Sequence, residues 1–129
     1  MSHKSSPGEE IIMSFKLVHR DDCETAGNWQ LVRRTLGIRA FGINVVEIPP
    51  GEQIPEHDEA DRDQEEVFHV LSGNPTLVID GEEHPVRAGT FARLDPVHRR
   101  TVRNDGDGSA SVLIISAPRS SGYEPMDWA

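Results

Sequence analysis

The sequence predicts an all-β domain, a sandwich or barrel of short strands. Two observations carry this. Roughly eight or nine short segments rich in β-branched and aromatic residues are separated by turn signals about every 8–12 residues. No segment keeps a helical period for more than about two turns. A length of 129 residues suits one domain, and a domain of that size buries roughly two-thirds of its chain's surface without disulfides or structural metal.

The elements follow in order. Residues 1–13 are polar at their start and are expected to be a disordered tail; Met13 is an alternative start. Residues 14–29 show no clear period. From Gln30, the runs QLVRRTLG and IRAFGINVVEI read as strands, with Gly37 and Gly42 as bends or bulges. Pro49-Pro50-Gly51 is a turn. EEVFHVLS is a strand closed by Gly73-Asn74-Pro75. TLVID and EHPVR flank Asp80-Gly81, a strong hairpin signal because glycine tolerates the positive φ of a tight turn. Ala88-Gly89 turns the chain into the strand TFARL, which Asp95-Pro96 breaks. RTVRN, the loop NDGDGSA and the apolar strand SVLIISA complete a domain expected at 14–117. Residues 118–129 read as a tail, with Tyr123, Met126 and Trp128 as anchors onto the body. Phe41, Phe68 and Phe91 are expected in the core. Arg33, Arg34, Arg93 and Arg103 are placed on strands with solvated faces.

The formal net charge is −9, which argues against nucleic acid or an anionic membrane surface as partner. No apolar run approaches the roughly 20 residues of a membrane span, and the N-terminus has no signal-peptide core. The default compartment is the cytoplasm. The single cysteine, Cys23, sits in a polar segment with no basic partner and is expected to be a bystander.

The chemistry concentrates between Gly51 and Gly73. Five residues separate Gly51 from His57, and six separate Glu66 from Gly73. Further on, Gly89 and Asn104 bracket a stretch with Pro96 and Arg100. In this order, with the hairpin between them, the two stretches resemble the paired motifs of the cupin superfamily. The resemblance covers about residues 36–117. It implies a double-stranded β-helix, the cupin jelly roll, whose motif residues line the barrel, and a homodimer. It also implies three histidines and one glutamate around a divalent Fe, Mn, Zn, Ni or Cu ion. This chain departs from that set. Glu59 stands where the second histidine belongs, the run DEADRDQE is about two residues too long, and Arg100 replaces the downstream histidine.

Two readings stay open. In the first, a small molecule binds in the barrel without cofactor, and His57, Glu66 and Arg100 are its contacts. Glu66 and Arg100 then form a charge-assisted pair, either as a structural bridge or as a pocket in which Arg100 holds an anionic group; a third alternative points Arg100 to solvent and leaves the barrel centre apolar. In the second, the chain is a metal-dependent dioxygenase or isomerase. His57, Glu59 and Glu66 are its ligands, since residues two apart on a strand face the same way and carboxylates suit Mn or Fe(II). Arg100 has no lone pair to donate, and His98 is the out-of-register substitute. The longer spacing could also carry His57 onto a mobile acidic loop. His69 falls on the opposite strand face from Glu66, and His84 and His19 are expected at the surface. No catalytic residue follows from the sequence.

Overall fold

The computed structural model describes residues 14–129; the expected tail at 1–13, Met13 included, lies outside the described residues. A 3-10 turn, Arg20–Asp22, leads to strands β1 (Thr25–Ala26) and β2 (Trp29–Gln30) and to helix α1 (Val32–Leu36). Seven strands follow: β3 (Gly42–Ile48), β4 (Gln64–Ser72), β5 (Thr76–Ile79), β6 (Glu82–Pro85), β7 (Phe91–Leu94), β8 (Arg100–Arg103) and β9 (Ala110–Pro118). With β1 and β2 they form two antiparallel sheets, ordered β1-β2-β3-β9-β4-β7 and β6-β5-β8. This is the all-β jelly roll that the strand pattern predicts. No helix among the described residues is long and apolar enough to cross a membrane.

The apolar run of β9 has a direct cause. It is an inner strand, paired with β3 on one side and with β4 on the other, so it has no solvent-facing edge to populate with charge. Val112 and Ile114 of β9 join Val46, Ile48, Ile54, Phe68, Leu77, Leu94 and Val102 in one core cluster. The expected hairpin is present. Asp80 and Gly81 have φ of 50° and 80°, the two positive values of a type I′ turn, whose twist matches the flanking strands.

Four expectations are corrected. Val32–Leu36 is helical, not a strand. The turn is closed by Gly37 at φ 74°, with Gly37 N–H donating to Arg34 O and Ile38 N–H to Arg33 O. Basic residues in the last turn with Gly37 just after it make a helix-stop signal, outweighed by β-branched Val32 and Thr35. Arg33 and Arg34 therefore sit on a helix, and both are exposed. Phe91 is 71% exposed and Phe41 40%; only Phe68 enters the core. For Phe91 register decides this, because it lies opposite His69 and so shares the outward face; Phe41 precedes β3 and has no strand partner. Tyr123, Met126 and Trp128 are exposed and do not anchor the C-terminal segment. His84 is half-buried, beside Glu82.

Gly73 is the glycine whose geometry is most constrained. Its φ is 83°, and a Cβ would stand 2.8 Å from the Ala110 Cα. Both the backbone conformation and the close approach to β9 exclude a side chain. Gly73→Ala should lower the stability to urea by about 1–3 kcal/mol; an unchanged unfolding midpoint would contradict this account of the turn.

Candidate functional site

Strand β4 alternates. Glu66, Phe68 and Val70 are buried, while Glu65, Val67 and His69 are less so. Glu66 thus occupies a core-facing position next to two apolar ones. Its cross-strand partners are Leu94 on β7 and Ser116 on β9. A carboxylate there needs compensating charge.

The compensation comes from the other sheet. After the Pro49–Gly51 turn, the chain runs antiparallel along β8, held by Ile54 N–H to Val102 O (3.1 Å) and by Thr101 Oγ1 donating to Ile54 O (2.6 Å). The run ends in a reciprocal pair, His57 N–H to Arg100 O (3.0 Å) and Arg100 N–H to His57 O (2.8 Å). Directly opposed residues in such a pair share a face, so His57 and Arg100 both turn toward Glu66. The long spacing does not lift His57 onto a mobile loop. The extra residues form a turn, closed by Asp63 N–H to Ala60 O (3.2 Å), after Glu59 N–H has bonded Pro96 O (2.9 Å).

His57 Nδ1 lies 3.0 Å from Pro55 O. A carbonyl can only accept, so Nδ1 carries the proton in this contact and Nε2 is turned toward the carboxylates. Nε2 is 3.5 Å from Glu59 Oε2 and 3.6 Å from Glu66 Oε1. One donor atom from each of His57, Glu59 and Glu66 lies within 4.8 Å of the other two.

Arg100 has 0% exposure. Its Nη1 donates to His98 O (2.7 Å), and Nη2 to Leu94 O (3.3 Å) and Asp95 O (3.2 Å). The end of the guanidinium is therefore engaged by main-chain carbonyls. Only Nε faces Glu66, 3.5 Å from Oε1, and neither atom has a hydrogen-bond partner. Burial pushes the Glu66 carboxyl above the ordinary carboxylate range; Arg100 draws it down, Glu59 pushes it up and His57 draws it down.

The structure thus brings together all four singled-out residues. His98 is elsewhere, with Nδ1 2.7 Å from Asp80 Oδ2. His69 stacks on Phe91 with ring centroids 3.8 Å apart. The motif asparagine, Asn104, has a structural task. It is fully buried and donates to Ile48 O (2.7 Å) and Gly108 O (2.8 Å). Gln64 was missed, although it lies two residues before Glu66 on the same strand face. With its amide oriented to satisfy both ends, it donates to Glu59 Oε1 and accepts from Arg62, each at 3.1 Å.

Two outcomes follow from the Glu66–Arg100 geometry. A carboxyl whose folded pKa stands above its unfolded one stabilises the fold fully below the unfolded value, about 4.3. That contribution is lost as pH rises through the folded value. Glu66→Gln should therefore gain stability relative to wild type as pH rises from 4 to about 7, and urea titrations at both pH values measure it. A variant that loses ground toward neutral pH contradicts the sign. Arg100→Ala leaves Glu66 buried without its cation and should cost about 3–5 kcal/mol in the same assay.

A cavity of about 520 Å³ opens beside this cluster on the core-facing side of β3, β4 and β9, meeting it at Gln64 and Ser116. Comparison with known proteins agrees with the fold. The chain resembles a cupin protein from Bacteroides fragilis at 19% identity and a TM-score of 0.75, over 91% of this chain and 94% of that one. A Cupin 2 conserved barrel domain protein from Salinispora arenicola is similar at 21% identity and a TM-score of 0.64, over 86% and 93%. A protein named "Putative sugar phosphate isomerase" from Acidithiobacillus ferrooxidans is similar at 27% identity and a TM-score of 0.62; the match spans 68% of this chain and 56% of that one. The family model described as Cupin domain matches residues 44–116, and with the jelly roll and its motif positions in view, the chain belongs to the cupin superfamily.

Proposed function

We propose that this cupin binds a small molecule at the mouth of its barrel and that its centre works without a metal ion. One observation carries the reading: a fully buried Arg100 stands where a fourth ligand would be, its Nε 3.5 Å from the Glu66 oxygen that faces the cluster. His57, Glu59 and Glu66 supply three donor atoms, and as chemistry this set suits a hard dication. The fit fails at the fourth position. A guanidinium has no lone pair, and its fixed charge repels a dication near the same carboxylate. With Glu66 already facing a protein cation, the attraction that would draw in a metal is largely spent.

On this reading the cluster is a polar floor for a ligand. The partly exposed His57 ring can offer Nε2 to a ligand, with the buried Glu66 Oε1 behind it at 3.6 Å. The name given to the Acidithiobacillus protein assigns a small polar substrate to that relative, which is in keeping with a small-molecule role for this barrel.

A second reading, a metal-dependent enzyme of the dioxygenase or isomerase class, is favoured by the convergence of His57, Glu59 and Glu66 within 4.8 Å. Elemental analysis of protein purified without chelator separates the two. The metal-free reading expects far less than one ion per chain of Mn, Fe, Ni, Cu or Zn. A stoichiometric ion that disappears in His57→Ala would overturn it. The converse experiment restores the family's ligands: Glu59→His with Arg100→His should raise Mn²⁺ or Fe²⁺ affinity by more than about tenfold. No gain in a folded double variant contradicts the role given to Arg100.

A further inference from the structure

The barrel-mouth cavity differs in charge from the rest of the molecule. The chain carries 22 acidic residues against 13 lysines and arginines. Yet no aspartate or glutamate lines this cavity, and three arginines do. Arg33 comes from α1, Arg39 from the segment between α1 and β3, and Arg62 from the turn before β4. Three separate stretches of chain therefore bring cations to one concave surface. Among the described residues, none of the three forms an ion pair with a carboxylate, whereas of the arginines elsewhere all but Arg87 do. Asp63, next to Arg62 in sequence, is taken by Arg119 at 2.6 Å.

Neighbouring groups hold two of these cations in place. Arg33 Nη1 donates to Ile38 O at 3.1 Å, and Arg62 donates to Gln64 at 3.1 Å. The lining also offers the neutral polar side chains of Asn44, Gln64 and Ser116, beside apolar ones such as Ile38 and Phe41. Gln64 also touches Glu59, so the cavity and the His57–Glu66 cluster share a wall. A volume of about 520 Å³ falls in the range of small-molecule sites.

The geometry points to an anionic ligand: a small polar molecule bearing a phosphate or carboxylate group. Arg33, Arg39 and Arg62 hold the acidic group, while its polar body reaches Asn44, Gln64 and Ser116. Arginine is the residue suited to this, because its planar fork matches the oxygens of either group. Arg100 is not the anion holder, since its fork is engaged by three carbonyls. This assignment rests on the small-molecule reading above and adds the chemical class.

Calorimetric titration of the full chain with inorganic phosphate, citrate and, as a neutral control, glucose tests it. The protein is first passed over chelating resin and assayed with and without added Mn²⁺. At low salt at least one of the two anions should bind with a Kd tighter than about 1 mM, weaken as salt rises, and lose at least about tenfold in Arg39→Gln/Arg62→Gln. Those arginines are exposed, so the variant should keep its circular dichroism spectrum. Binding of phosphate alone assigns a phosphoryl group, and binding of citrate alone a carboxylate. No binding of either anion, or equal affinity in wild type and variant, overturns the assignment. Binding that requires Mn²⁺ but still depends on the arginines sinks the metal-free reading and leaves the anion site standing. Arginine-independent binding of glucose does the reverse.

Discussion

The reciprocal main-chain pair between His57 and Arg100 is the contact on which the rest of the site depends. It ties the 51–57 segment to β8, and because opposed residues share a face, it aims one imidazole and one guanidinium into the barrel together. Glu66 meets them from the larger sheet. The side chain of Arg100 then closes the turn between β7 and β8 through the carbonyls of Leu94, Asp95 and His98. One residue thus joins two strands, a turn and the facing sheet. Its burial is tolerable because the charge is met both by carbonyl dipoles and by Glu66.

The charge distribution gives this barrel its character. A cupin centre built to hold a dication gathers neutral and negative donors. Here a cation is built into the wall at the point of closest approach, and burial raises the Glu66 carboxyl despite it. Further out, the arginines at the mouth face a cavity without acidic residues, in a chain whose net charge is −9. Local arrangement, not overall charge, sets what such a surface attracts, because screening confines the field of scattered surface carboxylates to about 10 Å in ordinary salt.

Element type was legible wherever one local rule acted alone. The Asp80-Gly81 hairpin, the glycine turn at 73 and the apolar central strand β9 can each be read from a few adjacent residues. The helix at 32–36 was obscured because two local signals competed there. Phe91 was misplaced for a different reason: an aromatic residue in a strand reveals that it wants cover, but not which face it occupies. That is settled by pairing with a distant strand, here His69 opposite Phe91.

The same division runs through the site. By itself the sequence determined the fold and, through its resemblance to the cupin motifs, the departure of positions 59 and 100 from the family's ligands, because these follow from residue type and spacing. It raised the pairing of Glu66 with Arg100 only as one alternative, since the two lie on different sheets. Only the tertiary structure decided that the fork of Arg100 is satisfied by carbonyls, that His57 stays in register despite the longer spacing, and that Arg33, Arg39 and Arg62 meet at one cavity. Each of these depends on chain segments far apart in sequence, whose approach is dictated by sheet pairing and by the burial of a shared core, and no local pattern encodes it.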